Sequence, residues 1–72
     1  MNYDEMMKAG RITALKEFFK LNDKKVTDHY ANWFYENFLG ICKNLGFLYG
    51  NGESLNDSPY AKMALDIYNL KH

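Results

Sequence analysis

Residues 27–45 read TDHYANWFYENFLGICKNL and hold the chain's only tryptophan and only cysteine, together with Tyr30, Phe34, Tyr35 and Phe38. On a wheel of about 100° per residue, Tyr30, Phe38, Ile41 and Leu45 all fall within about 40° of Phe34. Ala31 and Cys42 lie just beside them. The spacing i, i+4, i+7, i+11 is helical, and strand alternation would place Trp33, Phe34 and Tyr35 on both faces at once. Tyr35 and Leu39 widen the apolar face on one flank, and Trp33 and Gly40 lie on the other. Only His29, Asn32, Glu36 and Lys43 make a polar strip.

A helix that is apolar almost all round is buried, or half buried with a second partner. Residues 27–45 are therefore expected to form one long central helix, with a further helix on each side. Thr27 fits the N-cap, with Asp28 in the first turn. Gly46 fits the C′ position of a Schellman ending, with Phe47 as its hydrophobic contact.

The flanking segments complete the pattern. Residues 2–21 read as helix 1, opened by Asn2 with Glu5 three residues on. Ile12, Leu15 and Phe19 form its apolar row, widened by Met7, Ala14 and Phe18. Gly10 interrupts this pattern at a cost of about 1 kcal/mol relative to alanine. It marks either a close helix contact, a kink or a later helix start, and the pattern favours the longer helix.

Residues 22–26, NDKKV, are a short polar connection that makes helices 1 and 2 antiparallel neighbours. Residues 47–57 are a longer apolar connection turning at Gly50-Asn51-Gly52, with a small hairpin around Asn51-Gly52 as a minor alternative. Residues 58–70 read as helix 3, with Asp57 or Ser58 as cap and Pro59 at its start. Tyr60, Met63, Ala64, Ile67 and Tyr68 are its expected buried face. The fold class is all-α: a small three-helix domain with a long central aromatic-rich helix, one domain over residues 1–72.

Composition narrows the function classes. Nine Lys and Arg balance nine Asp and Glu, so no strongly basic face for nucleic acid is implied. The scarcity of Arg, Pro and Val and the absence of Gln fit an A/T-rich coding sequence, a weak pointer to a low-GC bacterium, its phages or mobile elements. A lone cysteine at a core position suits a reducing, cytoplasmic setting. Asp4 and Glu5 at the start predict no signal peptide, and no apolar run approaches the length of a membrane span.

Neither His29 nor His72 has a partner at metal-ligand spacing. Cys42 beside Phe38 and Leu45 reads as an inert core thiol. Glu53 and Asp57 read as solvated loop charges. Gly50-Asn51-Gly52 lacks the spacing and the lysine of a phosphate loop. No catalytic residue, metal or cofactor is expected.

The sequence best fits a small non-enzymatic protein–protein interaction module, such as a phage or mobile-element inhibitor or assembly factor acting on a host or viral protein. Trp33, Tyr35, Leu39 and Tyr30 are its candidate surface, since Trp and Tyr are common anchors of interfaces. The bland alternative is that Trp33 and Leu39 pack under the chain ends. A chain this small, with no disulfide available, gains most by covering its leftover face with its own copy, so a homodimer is expected. Lys20, Lys24 and Lys25 form a basic cluster, read as a solvated turn or as a contact for an acidic partner or phosphate. The alternative is a helix-turn-helix-like DNA-binding regulator. It is weakened by the acids among the outward residues of helices 2 and 3. A membrane-surface helix ranks last, because the polar strip of helix 2 is not basic.

Overall fold

The computed structural model describes residues 2–50 and 58–71, and the side chains of all of these except 46–50. Among the described residues there are four helices and no strand: α1 (Tyr3–Leu21), α2 (Asp28–Asn37), α3 (Leu39–Gly50) and α4 (Pro59–Lys71). The all-α class is as expected.

Local chemistry sets most helix ends. The Asn2 side chain accepts a hydrogen bond from the Glu5 amide at 2.8 Å and opens α1. Thr27 Oγ1 accepts from the Tyr30 amide at 3.0 Å and opens α2. Ser58 Oγ accepts from the Tyr60 amide at 3.1 Å, and Pro59 takes the first helical position of α4, where a missing N–H costs nothing. α1 runs unbroken through Gly10, and a Cβ built there would meet nothing within 4 Å. Gly10 thus marks neither a close contact nor a late start.

α1 ends in a Schellman motif without glycine. Asp23 takes φ 58°, its amide donates to the Lys20 carbonyl at 3.1 Å, and the Lys24 amide donates to the Phe19 carbonyl at 2.8 Å.

The expected continuous helix over 27–45 is instead two helices. Phe38, at φ −135° and ψ 52°, breaks it. Asn37 turns its side-chain amide back onto the Trp33 carbonyl at 2.8 Å, as Asn32 and Asn44 do with their own i−4 carbonyls inside unbroken helices, so this bond alone does not end α2. Gly40, two residues on, is a poor helix former. The break also re-aims the second half. Ala31 and Phe34 of α2 and Cys42 and Leu45 of α3 then all reach one core, which α1 closes with Leu15, Phe18 and Phe19. A straight helix would have spread its apolar groups around too much of its circumference for this chain to cover.

α3 also passes through Gly46 to Gly50, so the Schellman ending expected at Gly46 and Phe47 is not formed. Glycine accepts helical φ and ψ at modest cost, and ends a helix only where the chain must turn. The rest of the expected 47–57 connection, including the Asn51-Gly52 turn, lies outside the described residues.

Phe19 is the hub of the core. Its ring meets those of Phe18 (5.3 Å between centroids), Tyr68 (5.5 Å), Phe34 (5.9 Å) and Tyr30 (6.1 Å), mostly edge to face, as aromatic quadrupoles prefer. α4 packs on α3 and buries its two small residues, Ala61 and Ala64. Met63 was expected on that buried face but is 49% exposed. It lies about 100° from Ala64 on the wheel, and a seam built on alanines brings the helix too close for a long side chain at its edge. No described helix is long and apolar enough to cross a membrane.

Candidate functional site

The four residues of the expected interaction surface do not share one patch. Tyr30 and Trp33 lie together, their rings 5.5 Å apart, on the side of α2 that meets α4. Tyr30 stands 5.8 Å from the Tyr68 ring. Burial, with a smaller contribution from Tyr68, pushes its phenol above the usual range. Trp33 is half-buried against Phe38, and the Lys71 ammonium sits 4.7 Å over its ring. Tyr35 is two residues, hence about 200°, further round α2. It faces α1, where the Lys8 ammonium lies 5.5 Å over its ring. Lys8 also pairs with Glu36 at 2.7 Å, and that hydrogen bond raises its pKa. Leu39 opens α3 and is 38% exposed.

A surface that the sequence reading missed lies on α4. Met63 is half-exposed, Leu70 is 88% exposed, and the partly buried Ile67 lies between them along the helix, on the same side. The spacing i, i+4, i+7 is legible as an apolar stripe, but periodicity places Met63 and Ile67 in the core and gives Leu70 no role. Lys62, Asp66 and Asn69 run along its outer edge. The stripe ends beside Lys71, which covers Trp33.

Lys20, Lys24 and Lys25 are brought together. With Lys16 they line an open groove of about 550 Å³ between the last turns of α1 and the 22–27 connection. Thr13, Glu17 and Val26 complete its walls. Lys16 also pairs with Asp28, and holds that carboxyl below its usual range by hydrogen bond and charge. The Lys24 ammonium lies 5.8 Å over the Tyr68 ring, and Tyr68 Oη donates to the Lys25 carbonyl at 3.0 Å.

The remaining chemical groups are plain. The Cys42 thiol is buried, and burial pushes its pKa up to about 11 against a smaller opposing effect of Arg11. Such a thiol is a poor nucleophile at neutral pH. His29 is exposed on α2, and no group of three His, Cys, Asp or Glu suited to a metal occurs among the described residues. His72, Glu53 and Asp57 lie outside them. No protein family model matches the chain, and neither a characterised protein nor a solved structure shows a significant match.

Proposed function

We propose that this chain is a non-enzymatic protein–protein interaction module that works in the cytoplasm as a homodimer. The observation that supports this most is the α4 flank, where Met63 and Leu70 stand 49% and 88% exposed in a row with Ile67. Exposed apolar side chains at regular helical spacing have a driving force to be covered. A helical stripe edged by both Lys62 and Asp66 suits a second copy, because a two-fold axis can set the lysine of one helix near the aspartate of the other. The surfaces left outward, including Leu39 and the Lys8–Glu36 side, would then be offered to a foreign protein. That economy fits an inhibitor or assembly factor encoded by a phage or mobile element.

DNA binding has less support from the exposed residues. Lys62 on α4 is offset by Asp66, and the outward face of α2 carries Asp28 and Glu36. Phosphates would be repelled from both.

Light scattering of the purified protein over a tenfold concentration range tests the dimer. A mass near twice 8.5 kDa is expected, and Leu70→Glu should bring it to 8.5 kDa with helical content unchanged. A mass of 8.5 kDa throughout for the parent chain would overturn the homodimer and leave the flank to a foreign partner.

A further inference from the structure

We infer that the groove lined by Lys16, Lys20, Lys24 and Lys25 is a binding site for a compact polyphosphate anion, one carrying two or more adjacent phosphate groups. The bland reading of these lysines is that they neutralise the carbonyl end of α1. Three of its last four carbonyls already have backbone donors. Phe18 and Phe19 accept from the Asn22 amide, Phe19 also from the Lys24 amide, and Lys20 from the Asp23 amide. The Asn22 side chain adds a further bond to Phe18. The lysine ammoniums are therefore not engaged as caps, and among the described residues Lys20 and Lys25 make no ion pair.

The backbone that carries them is fixed from both sides. The Schellman motif sets the turn at Asp23, and the Tyr68 hydroxyl holds the carbonyl of Lys25. A preformed concavity spares the ligand the cost of ordering a loop. Its volume of about 550 Å³ exceeds the need of a single phosphate and lies in the range of small-ligand sites.

Charge sets the sign of the ligand, and volume sets its size. Lys16 is compensated by Asp28 and the Lys24 ammonium lies over the Tyr68 ring, so the groove is lined by Lys20, Lys24 and Lys25, of which Lys20 and Lys25 are uncommitted, with one carboxylate, Glu17. A monophosphate could balance that surplus of two but would leave most of the groove's volume unfilled, so size rather than charge favours the larger anion. A nucleic-acid duplex would need a basic face continuing beyond the groove, yet Asp23 and Asp28 flank it and the chain as a whole has no net charge. A short polyphosphate, free or as the phosphate tail of a nucleotide, fits the charge and the size together.

Titration with sodium tripolyphosphate, followed by calorimetry and amide NMR, tests this. Saturable shifts confined to residues 13–26 are expected, with orthophosphate binding at least about tenfold more weakly. Lys20→Gln and Lys25→Gln, which keep most of each alkyl stem, should each weaken binding about tenfold. Lys43→Gln and Lys62→Gln, the same charge change elsewhere, should leave it unchanged. ATP binding with the same shifts would name the nucleotide tail as the source, and tripolyphosphate binding tighter than ATP would name the free anion. Absence of saturable shifts would overturn the inference, as would equal losses from all four lysine variants. A short DNA duplex displacing tripolyphosphate at lower phosphate concentration would overturn the compact ligand.

Discussion

α2 and α4 differ in how completely they cover their large apolar side chains. α2, ten residues long, buries Phe34 completely and half-buries Tyr30, Trp33 and Tyr35, each against a ring or under a lysine. α4, thirteen residues long, fully buries only Ala61 and Ala64, half-buries Tyr60, Leu65, Ile67 and Tyr68 against the core, and leaves Met63 and Leu70 outside. The difference follows from what each helix meets. α2 sits across the aromatic hub at Phe19, where rings interlock and space is filled by large groups. α4 sends Tyr68 into the same hub but meets α3 with its buried alanines, and Met63 and Leu70 lie at its edge. Hydrophobic count does not predict burial here; the size of the residue at the point of contact does.

The largest break in this comparison comes from emptying the hub. Phe34 is fully buried and its ring contacts those of Phe19, Tyr30 and Phe38. Phe34→Ala should cost about 3–5 kcal/mol, from lost burial and the cavity left behind. Chemical denaturation measures it. A loss below about 1 kcal/mol would mean that the rings pack loosely and that α2 differs little from α4.

What the sequence made legible divides along the same line. The caps at Asn2, Thr27 and Ser58 were readable because each depends on residues within three positions of one another. The buried row Ala31, Phe34, Cys42 and Leu45 was readable because helical period survives the break at Phe38. The break itself was not, because Asn37 and Gly40 are each tolerated within a helix, and the reason to bend is the shared core with α1. Lys20, Lys24 and Lys25 were visible as neighbours in the chain, but their concavity depends on Asp23 taking positive φ and on Tyr68, forty-three residues beyond Lys25. Lys8 with Glu36 and Lys71 over Trp33 are likewise long-range contacts. Met63 was misplaced because a wheel gives direction and not depth.

The alanine seam offers the next test. Ala64 is 0% exposed, so a longer side chain there must displace a neighbour. Ala64→Leu should destabilise by about 1–3 kcal/mol although it adds apolar surface. Urea unfolding of the variant reads this directly. A stabilised variant would show spare room beneath α4, and the exclusion of Met63 and Leu70 would then need another cause than close approach.

The smallest expected effect is the most telling for the two surfaces. Met63→Ser removes a large apolar side chain, as Phe34→Ala does, but from a position 49% exposed. In dilute solution, where copies are apart, it should change stability by no more than about 0.5 kcal/mol. The effect should then grow with protein concentration. A second copy that covers the flank stabilises only the folded chain, and by mass action that contribution rises with concentration for the parent and not for the variant. Thermal unfolding of both proteins at several concentrations separates the cases. A difference that stays constant across the series would assign Met63 to its own chain's packing and remove the flank as a shared surface. A difference that widens would make α4's outer edge, poor in burial within one chain, the counterpart of the aromatic hub between two.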